Sequence, residues 1–136
     1  MVILDDQMDN ESIHKHGGTA LTKLFTKGSH HRNLTVVYIV QNLFHQTHAM
    51  RTVSLNTHYM VLYKNVRDRS QIRSLATQMY PRNVNFLVDA YEDATSKPYS
   101  YLVLDLRPET PDTLRFRTNV FNDHEQRFYV PINSRT

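Results

Sequence analysis

Val2-Ile3-Leu4-Asp5-Asp6 is three aliphatic residues without polar alternation, stopped by two carboxylates. Such a run suits a strand buried on both faces, as in a parallel sheet covered by helices. In open sheets of that kind ligands lie in the crevice at the carboxyl ends of the strands, which predicts Asp5 and Asp6 at the mouth of a site. One carboxylate there can hold Mg²⁺ through water, because this ion dehydrates reluctantly, and the second can orient or deprotonate an attacking water. The same pattern also describes strands that simply run into a turn, so its meaning depends on the rest of the chain.

Residues 7–18 are polar and end in His14-Lys15-His16-Gly17-Gly18, a loop or frayed helix. Thr19 offers an N-cap, and Leu21, Leu24 and Phe25 mark one face of a short helix that Gly28 can close. Residues 34–40 are the most β-prone stretch and are expected as a central buried strand ending at Gln41-Asn42. A helix over about 43–55 and a strand Tyr59-Met60-Val61-Leu62-Tyr63, ending at Lys64-Asn65, continue the alternation. This predicts right-handed βαβ units, a parallel sheet, and three polar strand ends along one edge.

Ile72, Leu75, Ala76 and Met79 keep helical period on a helix begun near Asp68 or Ser70 and stopped by Pro81; Val84, Leu87, Val88 and Tyr91 repeat it on the next. Tyr101-Leu102-Val103-Leu104-Asp105-Leu106 reads as a last strong strand, and Leu114-Arg115-Phe116-Arg117-Thr118 as an edge strand. Residues 119–136 form a polar tail, either disordered or packed on a partner. Phe25, Tyr38, Phe44, Tyr59 and Tyr63 are expected on core faces, whereas Phe116 and Phe121 are not readily placed.

At 136 residues the chain is one domain at most, short for a complete nucleotide-binding α/β domain. Sixteen basic against 13 acidic residues give a net charge of +3, which permits a polyanionic partner without requiring one. The absence of cysteine excludes disulfides and thiolate metal sites. No apolar run approaches the roughly 20 residues that span a bilayer, and no secretory signal opens the chain, so an intracellular protein without membrane contact is expected. Eight histidines raise a separate reading. His45 and His48 stand i, i+3 on a predicted helix and, with His30, His31 and the two aspartates, could compose a metal-dependent hydrolase or nuclease site, although no HExxH-like pair is present.

Four blocks carry a resemblance by their order and spacing: Val2-Ile3-Leu4-Asp5-Asp6, Leu24-Phe25-Thr26-Lys27-Gly28-Ser29-His30-His31-Arg32-Asn33, Val40-Gln41-Asn42-Leu43-Phe44 and Leu55-Asn56-Thr57-His58-Tyr59. Followed by Lys64-Asn65 and Gln78-Met79-Tyr80-Pro81, they resemble the FtsK/HerA-type P-loop ATPases over residues 2 to 118. The likeness is greatest to the genome-packaging ATPases of Polinton-type elements and related large DNA viruses. It implies an α/β RecA-like core with a mostly parallel sheet, and ATP and Mg²⁺ as cofactors.

By the resemblance, Asp5 takes the Walker B role of holding hydrated Mg²⁺, and Asp6 that of the carboxylate polarising water. Most of the wider class has Glu there, which leaves Asp6 about one methylene short. Gln41 matches the polar sensor of the γ-phosphate. The inter-subunit arginine finger falls to Arg32, with Lys27 and His30 as alternatives. A finger acts in trans, which implies a homo-oligomeric ring, by the resemblance a hexamer. Double-stranded DNA would be gripped through its backbone, with Arg67, Arg69, Arg73 and Arg82 as phosphate contacts or, more plainly, a solvated basic face. Capsid proteins are further partners so implied, and the host nucleus or a viral assembly site the location.

The chain departs from the family in one respect. The phosphate-cradling Gly-x-x-x-x-Gly-Lys-Ser/Thr is absent, and three glycines cannot hide it. These residues are therefore expected to be the C-terminal, Walker B half of an ATPase, with 1–118 the remaining core and 119–136 the tail, and to hydrolyse no ATP alone. The alternative on the same fold is a non-catalytic relic or assembly module. A sheet without its first strands should expose an edge and an apolar face around 34–40.

Overall fold

The aliphatic runs near the amino terminus form strands that pair with each other. β1 (Val2–Asp5) and β2 (Val36–Ile39) run parallel, Val2 opposite Val36 and Asp5 opposite Ile39. The structure is a computed structural model that describes residues 1–5, 19–28, 33–42, 48–122 and 125–132. It divides into two units, Met1–Thr57 and His58–Thr136.

In the first unit, α1 (Thr19–Lys23) continues into a π-helical turn, Leu24–Gly28, and α2 (His48–Leu55) follows β2. Leu21, Met50 and Val53 are buried together, with Leu4, Phe25, Tyr38 and Val40 packed against them. Helices thus cover one face of the parallel pair. On the other face Ile3 is 56% and Ile39 50% exposed, and Val37 is exposed as well. The expectation of strands buried on both faces, with 34–40 as a central strand, is corrected: burial alternates residue by residue, as in a sheet covered on one side. The exposed apolar face expected around 34–40 is present.

The second unit is an antiparallel sheet in the order β3 (Tyr59–Tyr63), β4 (Tyr101–Asp105), β5 (Phe116–Thr118), β6 (Arg127–Tyr129). Between β3 and β4 lie α3 (Ser70–Met79) and α4 (Val84–Ala94). Ile72, Leu75 and Ala76 are buried on α3 as the sequence predicts, with Met79 half-buried; on α4 Leu87 and Tyr91 are buried as expected, but the face is completed by Ala90 and Ala94, and Val84 and Val88 are only half-buried. Asp68 starts α3 by accepting from the Ser70 N–H at 3.0 Å and the Gln71 side-chain amide at 2.9 Å. The Ser70 hydroxyl and then the Gln71 amide hold its carboxyl below the usual range.

The fold is therefore mixed α/β, with a two-stranded parallel and a four-stranded antiparallel sheet among the described residues. This corrects the expectation of β3 as a third parallel strand: its partner is β4, with Tyr59 opposite Asp105 and Tyr63 opposite Tyr101. One helix between strands returns the chain for a parallel crossover, whereas a second helix turns it once more and brings β4 back antiparallel. Tyr59 and Tyr63, expected in the core, are exposed on this strand, and Phe44 lies outside the described residues.

Phe116 is the centre of the second core. It is fully buried with Leu102 and Leu104, its ring 5.6 Å from Tyr80 and 5.4 Å, nearly perpendicular, from Phe86. Within the stretch set apart as a tail, β6 pairs with β5, Phe116 opposite Tyr129. The Tyr129 hydroxyl donates to Asp93 Oδ2 on α4 at 2.6 Å. Among the described residues no helix is long and apolar enough to cross a membrane.

Phe116→Ala is expected to cost about 3–5 kcal/mol, read as a lower urea midpoint by circular dichroism. Phe121→Ala, at an exposed ring, should stay within about 0.5 kcal/mol of the parent. Equal effects of the two would contradict this packing.

Candidate functional site

Because β1 and β2 are parallel and in register, their carboxyl ends coincide. Asp5 closes β1, and Gln41 stands two residues past β2 on the same edge, both exposed. Two of the three polar strand ends expected together are thus brought to one edge. The third does not join this ladder. Asn65 follows β3 in the second unit, and its side-chain oxygen accepts from the N–H groups of Arg67 at 3.0 Å and Asp68 at 3.2 Å, shaping the turn into α3. Its own N–H donates to the Tyr91 hydroxyl at 2.8 Å, which donates in turn to the Tyr63 carbonyl at 3.0 Å.

Asp6, Arg32, His30, His31 and His45 lie outside the described residues, and His48 opens α2. Lys27 is exposed on the π-helical turn. Arg67, Arg69, Arg73 and Arg82 are all exposed in the second unit, with Arg69 3.7 Å from Glu92. Among the described residues no group of three or more histidine, aspartate or glutamate side chains could hold a metal ion.

The donor set at the β1–β2 edge suits Mg²⁺ held through its water shell, which needs few protein oxygens. Among the described residues it includes no glycine-rich turn to cradle a phosphate. Gly28, the glycine among the described residues, has the Lys23 carbonyl oxygen only 3.1 Å from where a Cβ would stand, so it is packed against its own turn.

A second apolar strand ending in a carboxylate was not singled out from the sequence. Asp105, at the end of β4, is 1% exposed. Arg107 grips it with Nε at 3.0 Å from Oδ1 and Nη2 at 2.8 Å from Oδ2, and Arg117 Nη2 lies 3.0 Å from Oδ2. The Arg107 backbone N–H adds a bond to Oδ1 at 3.3 Å. Arg115 holds the surrounding backbone, donating to the carbonyls of Asp105 at 2.7 Å, Arg107 at 3.2 Å and Thr110 at 2.8 Å. The Arg107 guanidinium also lies 5.0 Å over the Tyr59 ring.

These hydrogen bonds from Arg107 outweigh desolvation and hold the Asp105 carboxyl at about 2. A carboxylate has about four acceptor sites, and the four N–H bonds fill them, leaving none for a metal ion or a substrate proton. Asp105 is a structural clasp. Its signal in the sequence is an acid that stops an apolar run, with Arg107 two residues on and Arg115 and Arg117 flanking Phe116.

Comparisons of the chain with protein-family models, with curated proteins and with solved structures found no match.

Asp105→Asn leaves the part-exposed guanidinium groups of Arg107 and Arg117 without their carboxylate and is expected to cost about 2 kcal/mol at neutral pH. Because the folded carboxyl titrates at about 2, below its unfolded value near 4, its contribution is fully present above roughly pH 4 and is lost as pH falls towards 2. Urea titrations across this window should show the parent losing stability towards the variant; parallel curves would refute the clasp.

Proposed function

We propose that this chain is part of an ATP-driven DNA-packaging and translocation motor with a RecA-like core, contributing the acidic strand end and the polar sensor of its nucleotide site. The parallel pairing of β1 with β2, which puts Asp5 and Gln41 on one edge, is the observation that carries the reading. It is the edge at which open α/β sheets take their ligands, and the four sequence blocks around it are those of the FtsK/HerA resemblance.

In this reading Asp5 orients the water shell of Mg²⁺, Asp6 polarises the attacking water, and Gln41 offers its side-chain amide to the terminal phosphate. Bound MgATP supplies the phosphoryl transfer that powers movement. Arg32 reaches a neighbouring subunit's site in a homo-oligomeric ring, where a guanidinium stabilises charge on the transferred group. The exposed Arg67, Arg69, Arg73 and Arg82 take phosphates of double-stranded DNA without regard to sequence. Capsid proteins are the partners that a packaging ring would face. The phosphate-cradling loop is not in this sequence, so the reading requires it from chain outside these 136 residues.

The 136 residues alone should therefore hydrolyse no ATP. The native reading frame should carry Gly-x-x-x-x-Gly-Lys-Ser/Thr upstream, and its product should show ATP turnover stimulated by duplex DNA and suppressed by salt. In that longer protein Asp5→Ala or Gln41→Ala should lower kcat by about 100-fold or more. A native frame without the loop, metal-dependent turnover by the isolated chain that Asp5→Ala abolishes, or full turnover by the longer Asp5→Ala protein would each overturn the reading.

A further inference from the structure

The link between α4 and β4 holds a side chain where the backbone disfavours one. Lys97-Pro98-Tyr99-Ser100 is a β-turn closed by the Ser100 N–H on the Lys97 carbonyl at 3.3 Å and by the Ser100 hydroxyl on the same oxygen at 2.6 Å. Pro98 suits the second position of such a turn. The third has φ 61°, the left-handed region normally left to glycine or asparagine, and it is occupied by Tyr99. Packing does not hold the ring there, because Tyr99 is 96% exposed. An aromatic side chain that strains the backbone and gains no burial points to a contact outside the fold.

That ring stands at the rim of a cleft of about 320 Å³, lined also by Tyr63, Lys64, Ser96, Lys97 and Ser100. The exposed Tyr63 ring is braced by Tyr101, with centroids 5.8 Å apart. Among the described residues neither Lys64 nor Lys97 pairs with a carboxylate. In the adjoining cleft of about 300 Å³, which shares Lys64 and Ser96, the carboxylate of Glu92 is drawn to Arg69 instead. The first cleft therefore combines two aromatic faces, two ammonium groups that pair with no carboxylate among the described residues, and the hydroxyls of Ser96 and Ser100.

We propose that this cleft binds an unpaired nucleotide, its phosphate on Lys64 and Lys97 and its base stacked on the Tyr99 ring. Stacking accepts any base, since each has a π-face, and ammonium groups track the phosphate regardless of sequence. Inside a duplex both faces of a base are covered by its neighbours, so an exposed tyrosine selects unpaired bases. The proposal goes beyond the motor reading, which calls only for backbone contacts to duplex. It rests on no part of that reading, because Lys64, Lys97 and Tyr99 have no role in it.

The test is fluorescence anisotropy of the full 136-residue chain with a short labelled oligothymidylate, against a blunt duplex of equal length, without ATP or Mg²⁺. Omitting both keeps the result separate from any ATPase outcome. The single strand should bind at low salt and the duplex more weakly. Tyr99→Gly relieves the positive φ and so preserves the turn, yet it should weaken the single strand roughly 5- to 100-fold. Lys97→Gln should reduce the slope of log affinity against log salt by about 0.7. Competition by millimolar thymidine monophosphate would identify free nucleotide as a ligand of the same cleft, and its failure would assign the cleft to the strand. Undiminished single-strand binding by Tyr99→Gly, or duplex bound as tightly as single strand, would overturn the proposal.

Discussion

The carboxylate of Asp105, closed in by the guanidinium groups of Arg107 and Arg117, is the interaction on which the second unit depends. A charge so deep costs several kcal/mol unless it is paired and its lone pairs are filled. Filling them requires Arg107 to double back along the chain and Arg117 to arrive from the next strand. Arg115 then has the carbonyls of residues 105, 107 and 110 within reach. The β4–β5 register that results, with Leu104 opposite Phe116, places the phenylalanine ring among Tyr80, Phe86 and the buried face of β4. Through the Arg107 contact with Tyr59 the same clasp also touches β3 at its first residue.

Asp5 and Asp105 show how little a local pattern says about a carboxylate's work. Val2-Ile3-Leu4-Asp5 and Tyr101-Leu102-Val103-Leu104-Asp105 are both apolar runs stopped by an acid at a strand end. Yet Asp105 is sealed and has its four acceptor sites occupied, while Asp5 is exposed at an edge it shares with Gln41. A fold that must hold two strands and a loop together needs the arrangement at Asp105.

Both units leave apolar side chains on the outer face of a sheet: Ile3, Val37 and Ile39 in one, and Tyr59, Val61 and Tyr63 in the other. Alternate residues of β1, β2 and β3 remain outside, because successive side chains of a strand point to opposite faces, whereas β4 is buried along Leu102–Asp105. Tyr99 differs in kind from these. Its exposure comes with a backbone conformation that works against it, whereas the exposed strand residues sit in ordinary extended geometry.

The sequence by itself determined the local structure: the strand at residues 2–5, helices α3 and α4 with most of the buried face of α3 and half that of α4, the stop at Pro81, and the short helix that Gly28 closes. It also placed Asp5 and Gln41 at strand ends, which became one edge once the pairing was parallel. Each of these depends on residues two to four apart, and periodicity records such spacings directly. Only the tertiary structure decided that β3 runs antiparallel to β4, that Phe116 is the centre of a core, that residues 127–129 complete a sheet, and that Asp105 is a clasp. Those outcomes depend on which distant segments remove one another from water and which charges they pair there. No spacing along the chain carries that information, because desolvation and strand partnership belong to pairs of residues that the sequence keeps far apart.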